Sequence, residues 1–372
     1  MFKKIRMPNI LISGVGGPTP RSIARSIKHS DIFGGSALFG TDVNPLAHGL
    51  YENQLYQDTC VVVHADAEDY WDFIENFVSS NKIIYALVHP EQEVLEWARF
   101  KKEGGHWPCK SLIPDYDLTK VLADKRSTTA LLEDTEYVPN SYSFNTALLD
   151  IEELESRIAY PFWVRFPNGS SGVGSYKINK RSDLEHWLAI NRTSENYIAS
   201  TYLPGRNLAV KLLYYNGQLI RAASGERVNY IMAKLAPSGI TGNTSFGRLL
   251  NEPKLVQCAL DIMELLFART NSNRHGFFTL DFKENAAGKP YLTEVNCRMV
   301  AFNYSFAMAG ANFSEDIISL LSEDESFDRT YKMYEFDKDL IFLRDVDDTP
   351  ILMKEKDLKQ KNAVESNGTL KV

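Results

Sequence analysis

Residues 276–298 read GFFTLDFKENAAGKPYLTEVNCR, and the placing of the acids in this stretch decides how the rest of the chain is understood. Two apolar runs flank the polar turn at 285–288, the pattern of a β-hairpin. With a four-residue loop, Glu284 pairs with Lys289 and Asp281 falls opposite Leu292. Side chains alternate with period two, so Asp281 then shares a face with Glu294 and Asn296. Two carboxylates held that close repel unless a cation lies between them. Three hard oxygen donors with room for water and phosphate suit Mg²⁺. Arg298, two residues further on, extends toward the same place as a partner for phosphate or transition-state charge. The bland alternative is a solvent-facing hairpin with ordinary surface acids.

Upstream, 160–178 reads YPFWVRFPNGSSGVGSYKI. Arg165 ends a strand, and 168–174 is a loop of small residues. Such a loop lets successive N–H groups turn toward an anion and lets the backbone approach phosphate closely. The segment lacks the G-x-x-x-x-G-K-[ST] spacing, which disfavours a P-loop. Read alone it is equally a plain hairpin loop. Asp124-Lys125-Arg126 opens a helical pattern, and by itself reads as a solvated charged turn. Near the N-terminus SGVGGPTPRS (13–22), followed later by Asp42, resembles a dinucleotide turn with its acid, although Pro18 and Pro20 disturb the glycine spacing.

Short strands at 9–13, 37–41, 60–64 and 83–89 alternate with helical patterns at 70–79 and 92–102, which predicts a parallel sheet covered on both faces. A helix at 119–132 follows, then strands at 162–166 and 176–179 and a helix at 182–190. Antiparallel strands are expected at 197–203, 208–215 and 219–224, and a helix at 253–268 leads into the hairpin. Short strand-like runs at 332–336, 340–343 and 351–353 precede a polar tail. Arg227 and Arg248 flank a glycine- and serine-rich stretch, 237–247. The 372 residues exceed one ordinary core, and a net charge of −7 disfavours a nucleic-acid partner. The four cysteines form no C-x-x-C pair, and no run approaches the length of a membrane span, so a cytoplasmic protein is expected.

In order, these segments resemble the ATP-grasp superfamily, most closely its carbamoyl-phosphate-synthase-like branch, from about residue 9 to 321. ILISGVGG, FGTDVNPLA and LVHPEQEVLEWA are similar to the pre-ATP-grasp domain, the last to a segment whose acids face substrate. The resemblance implies an α/β and α+β fold: a parallel-sheet pre-ATP-grasp domain at 1–112, a small ATP-grasp lobe at 113–195, a C-terminal lobe at 196–325, and an extension at 326–372. It implies phosphate contacts at Lys125 and Arg165, a flap holding Ser170, Ser171 and Gly172, and an adenine hinge at Thr201, Tyr202 and Leu203. Asn207 takes the ribose position, Asp281, Glu294 and Asn296 the metal, and Arg298 a catalytic role beside Arg165. Departures lie at Thr201 and Asn207, both usually acidic, at Lys211, where an aspartate is frequent, and at Cys297, where a proline is usual.

The implied activity is ligation: MgATP, or Mn²⁺ in place of Mg²⁺, activates a small-molecule carboxylate as an acyl phosphate that an amine then attacks. A homodimer is admitted, and neither nucleic acid nor membrane is expected. Two rivals stand beside this reading. One is a nucleotide-binding regulatory module without turnover, motivated by Thr201, Asn207 and Lys211. The other is a nicotinamide oxidoreductase resting on SGVGG and Asp42.

Overall fold

The computed structural model describes residues 7–167, 174–191, 196–236, 238–300, 302–346 and 359, and the structural statements below concern these. A parallel five-stranded sheet comes first, in the order β3-β2-β1-β4-β5. Its strands are β1 (Asn9–Ser13), β2 (Ala37–Asp42), β3 (Asp58–Val61), β4 (Tyr85–Leu87) and β5 (Lys110–Ser111), with helices α1 (Pro18–Lys28), α2 (Tyr70–Ser80) and α3 (Glu91–Lys102) between them. The chain builds outward from β1 to β3, then crosses to place β4 on the other side of β1. That reversal is a topological switch point, and open parallel sheets bind ligands outside the carboxyl ends of the strands there. His89, Pro90 and Glu91 follow β4 at this point.

The helix expected at 119–132 is two helices, α4 (Tyr116–Ala123) and α5 (Lys125–Leu131). Asp124 between them is extended (φ −115°, ψ 113°), and its carboxylate accepts the Arg126 N–H at 2.8 Å. A charged turn thus becomes an N-cap, and Lys125 starts α5.

A four-stranded antiparallel sheet of order β6-β9-β7-β8 comprises β6 (Ser141–Asn145), β7 (Phe162–Arg165), β8 (Tyr176–Ile178) and β9 (Asn196–Thr201), with helices α6 (Ile151–Arg157) and α7 (Arg181–Ile190). The larger sheet runs β14-β13-β10-β11-β12-β16, from β10 (Asn207–Tyr215), β11 (Gln218–Tyr230), β12 (Thr244–Leu250), β13 (Gly276–Glu284), β14 (Pro290–Asn296) and β16 (Ile341–Leu343), with β15 (Lys332–Met333) beside β11. The segment after 326 therefore supplies strands to this sheet rather than only extending from it. α8 (Pro253–Thr270) buries Leu255, Val256, Ala259, Ile262, Met263, Leu266 and Phe267, one stripe of helical spacing, into the same core as the sheet's Leu208, Val210, Leu280, Phe282 and Val295. Each large side chain buried there contributes roughly 1.5–3 kcal/mol. The helices α9 (Asn303–Met308) and α10 (Phe313–Leu321) pack toward α1.

Other sequence expectations needed correction. β3 and β4 are shifted or shorter than 60–64 and 83–89, β11 runs well past 224, and β6, α6, β12, α9 and α10 had no counterpart. β12 lies partly within the stretch read as a glycine- and serine-rich loop, and it is held by pairing with β11 and β16 rather than by any alternation of its own. The run at 351–353 lies outside the described residues. No described helix is long and apolar enough to cross a membrane, and all four cysteines are free thiols.

Candidate functional site

The hairpin does not take the register that a four-residue loop would give. Glu284 pairs with Pro290 across a five-residue turn, where Gly288 adopts φ +79° and the Asn285 side chain accepts the N–H groups of Ala287 and Lys289. A bulge then takes up Thr293, whose hydroxyl donates to the Asp281 carbonyl at 2.9 Å. Each irregularity shifts the pairing by one residue. The first moves Leu292 to the face of Phe282, and the second returns Glu294 to the face of Asp281, so that Asp281 stands opposite Glu294 instead of Leu292. Asn296 pairs with Thr279, and its amide nitrogen lies 3.5 Å from the Asp281 carboxylate.

Across the sheet the row through these acids reads Gly225, Ala209, Asp281, Glu294. The two small residues leave space above β10, and Arg227 reaches across it to Asp281 at 2.5 Å. From the other side Lys125, at the start of α5, lies 2.9 Å from Glu294. The repulsion that the sequence assigned to a missing metal is therefore relieved by two protein cations. Burial pushes the Asp281 carboxyl up to about 6, with Arg227 opposing and Glu294 adding to the rise. Burial also raises Glu294, but Lys125, Arg165 and Arg298 outweigh it and hold that carboxyl below its ordinary value. Arg165, at the end of β7, donates to the Thr293 carbonyl at 2.7 Å and so ties the small sheet to the hairpin.

Between the two antiparallel sheets lies a cleft of about 410 Å³. Lys125, Arg165, Thr201, Tyr202, Leu203, Asn207, Asp281 and Glu294 all line it, although they come from five separate stretches of chain. The Tyr202 ring carries the Lys177 ammonium 4.1 Å from its centre. Ser170, Ser171 and Gly172 lie outside the described residues. Asn296 and Arg298 are not among the lining residues. Arg298 borders instead a small cavity at the switch point of the parallel sheet, next to His89. Its charge reaches both acids nearby: burial raises Glu91, and Arg298 and Lys125 oppose that rise.

Two cations take places that the sequence reading left open. Arg227 was paired with Arg248 beside a stretch read either as a phosphate or substrate contact or as a surface loop, but Arg248 bonds Glu226 at 2.8 Å and is directed elsewhere. Lys211 is fully buried, donates to the Asn303 side-chain oxygen, and lies 4.6 Å from the Phe302 ring centre, the ring that Arg227 also faces at 5.0 Å. Burial and Arg227 push its ammonium well below the ordinary lysine range. The advance signals were a cation within the strand LAVKLLYY and its place where the resembled family frequently has an aspartate. Among the described residues no group of three His, Cys, Asp or Glu side chains is positioned to hold a metal. The available donor set is two carboxylates and one amide, which fits a hard cation that keeps part of its water shell.

The glycine turn behaves differently from its sequence reading. Gly14 and Val15 both donate to the Thr41 carbonyl (2.7 and 3.0 Å), Gly16 donates to Asp42 Oδ2 (2.7 Å) and Gly17 to the Gly14 carbonyl (3.0 Å). The other Asp42 oxygen accepts the Asn44 N–H at 2.9 Å. No amide of the turn is left for a pyrophosphate, and Asp42 is engaged by its own loop rather than offered to a ribose. The nicotinamide reading loses its two supports.

No protein-family model matches the chain, and no curated protein matches it in sequence. Solved structures do match. The fold is similar to N5-carboxyaminoimidazole synthetase from Staphylococcus aureus complexed with ADP, at 18% identity and a TM-score of 0.61, over 83% of this chain and 75% of that one. It is similar to an L-amino acid ligase from Bacillus licheniformis, at 14% identity and a TM-score of 0.61, over 85% and 74%. A D-alanine–D-alanine ligase from Bacillus anthracis matches at 13% identity and a TM-score of 0.55, over 85% and 95%.

Proposed function

The chain has the ATP-grasp fold, and on that premise we propose that it is an ATP-dependent ligase that activates a carboxylate and joins it to an amine. The observation that carries this reading is the charged row of the hairpin. Asp281 and Glu294 face one another on the wall of a cleft, each matched by a protein cation, with Arg165 bridging from the opposite sheet. Phosphoryl transfer asks little acid–base chemistry of a protein and much alignment and charge neutralisation. A cleft walled by fixed cations and two paired carboxylates is built for that task.

In this reading the hinge at Thr201, Tyr202 and Leu203 borders the base, and Asn207 hydrogen-bonds the ribose. Lys125 and Arg165 hold phosphate oxygens. Asp281, Glu294 and Asn296 would hold Mg²⁺, which when bound would supply positive charge to neutralise the phosphoryl group being transferred. The substrate carboxylate oxygen attacks the γ-phosphorus as the bond to the ADP oxygen breaks. An amine then attacks the acyl carbon, phosphate leaves, and the amine loses a proton. The acceptor side is the switch-point corner, where Glu91 feels the charges of Arg298, Lys125 and Glu294. The coupled acid need not be an amino acid; a short peptide or sugar acid meets the same chemistry.

Thermal-shift titration with MgADP, MgATP and NADH tests the first half of this reading, and a coupled ADP-release screen over carboxylate–amine pairs tests the second. Stabilisation by the magnesium nucleotides and ADP release with at least one pair are expected. Stabilisation by NADH alone would end the reading. Nucleotide binding with no ADP release across the library would favour the regulatory module instead.

A further inference from the structure

The corner where the parallel sheet meets the hairpin holds polar groups that the chemistry above leaves unused. His89, just beyond β4, is only 4% exposed. Its backbone N–H donates to the Ser13 hydroxyl at 3.2 Å, but neither ring nitrogen has a hydrogen-bond partner. Arg298 shows the same defect: its Nε–H is buried and unpartnered, and one terminal nitrogen makes a long bond of 3.4 Å to the Met299 carbonyl. A buried polar group without a partner costs about 1–3 kcal/mol, so two neighbouring ones call for an explanation.

Both residues border the same cavity, of about 20 Å³, whose other walls include Val88, Leu112, Phe277 and Ile317. Such a volume holds one water, which needs roughly 10–15 Å³ and two or more polar partners. One water can meet two of these three orphaned nitrogens. A neutral imidazole offers one lone pair and one N–H, and the arginine Nε offers an N–H only. One water can accept from Arg298 Nε and donate to the unprotonated nitrogen of His89. We infer that His89 is a positioning residue that fixes the Arg298 guanidinium through a single buried water, aiming its charge at Glu91 and Glu294. The functional half rests on the ligase reading; the structural half does not. Burial, reinforced by Arg298, pushes the His89 imidazole down to about 3, so the ring keeps its lone pair at any working pH.

A crystal structure of the full chain with MgADP, at a resolution that shows ordered water, tests the structural half. A water within hydrogen-bond distance of both a His89 ring nitrogen and Arg298 Nε is expected; a dry cavity, or an Arg298 side chain turned away from it, would overturn the inference. For the functional half, His89→Leu keeps the bulk and removes the polarity, whereas His89→Gln keeps a donor and an acceptor. His89→Leu should lower kcat for ADP release by about 10-fold, the scale of a mispositioned group, with the KM for ATP and the MgADP thermal shift unchanged. His89→Gln should recover most of that loss. Equal losses in both variants, or a rise in KM alone, would refute the positioning role. If the wild type releases no ADP with any substrate pair, the ligase reading fails while the crystallographic result still decides the water bridge.

Discussion

Two regions of this molecule present phosphate-like motifs in sequence, and they differ in how their polar groups are spent. In the turn at Gly14–Gly17 each amide and both Asp42 oxygens bond to the protein itself, within three short segments of one sheet. On the cleft wall the Nε groups of Arg165 and Arg227 are buried without partners, as is that of Arg298 at the neighbouring switch-point corner, and the acids between them are held away from their ordinary ionisation. A saturated polar loop is finished as a structure. Unsatisfied, fixed charge is costly to maintain and makes sense where a ligand completes it. Glycine content did not separate the two regions; hydrogen-bond accounting does.

The largest expected effect falls on the cleft. Glu294→Ala should lower ATP turnover by at least about 100-fold, while far-UV circular dichroism and the melting temperature stay near wild type, because the side chain is not part of the apolar core. Wild-type turnover in that variant would erase the distinction drawn between the regions. A second test asks whether a displaced pKa marks function by itself. Glu93, near the turn, is pushed up to about 7 from 4.5, chiefly by burial and secondarily by Asp42, with the Ser13 and Tyr70 hydroxyls opposing. The folded state then holds a proton that the unfolded chain releases, so stability should fall as pH rises from about 4.5 to about 7 and level off above. The loss is on the order of 3 kcal/mol at most. Urea unfolding at pH 5 and pH 8 should show that slope, and Glu93→Gln should reduce it, leaving the part that Asp281 contributes below about pH 6, without changing MgADP affinity. A change in affinity would mean that the turn region belongs to the site.

The smallest effect is steric. A Cβ on Gly16 would lie 2.7 Å from Ala47 Cβ and 2.9 Å from Asp42 Oδ2. Gly16→Ala should therefore cost about 1–3 kcal/mol of stability and leave the MgADP dissociation constant where it was. Loss of nucleotide binding at unchanged stability would restore the turn as a binding element.

Much of the fold was legible because its signals are local. β1, α3, α8 and the hairpin carry period-two or helical patterning within their own residues, and the acids of the hairpin lie on the face that alternation assigns them. Elements without such patterning were missed: β12 exists only because β11 and β16 pair with it, and β6 needs β9. The hairpin register was misjudged for a related reason. A five-residue turn and a bulge each shift it by one, and the bulge depends on a Thr293 hydroxyl bonding across to the Asp281 carbonyl.

The sequence alone settled which residue types are available to this chain and, through side-chain alternation, the shared face of the hairpin acids, although the turn and the bulge move Leu292 to the other face. It determined that Asp281, Glu294 and Asn296 share a side. Tertiary structure decided what stands against them. Arg227 reaches Asp281 only because Gly225 and Ala209 leave room, and Lys125 reaches Glu294 only because Asp124 ends one helix and starts another. Charge pairing acts through space over a few ångströms and ignores distance along the chain, which is why reading the chain in order did not disclose it.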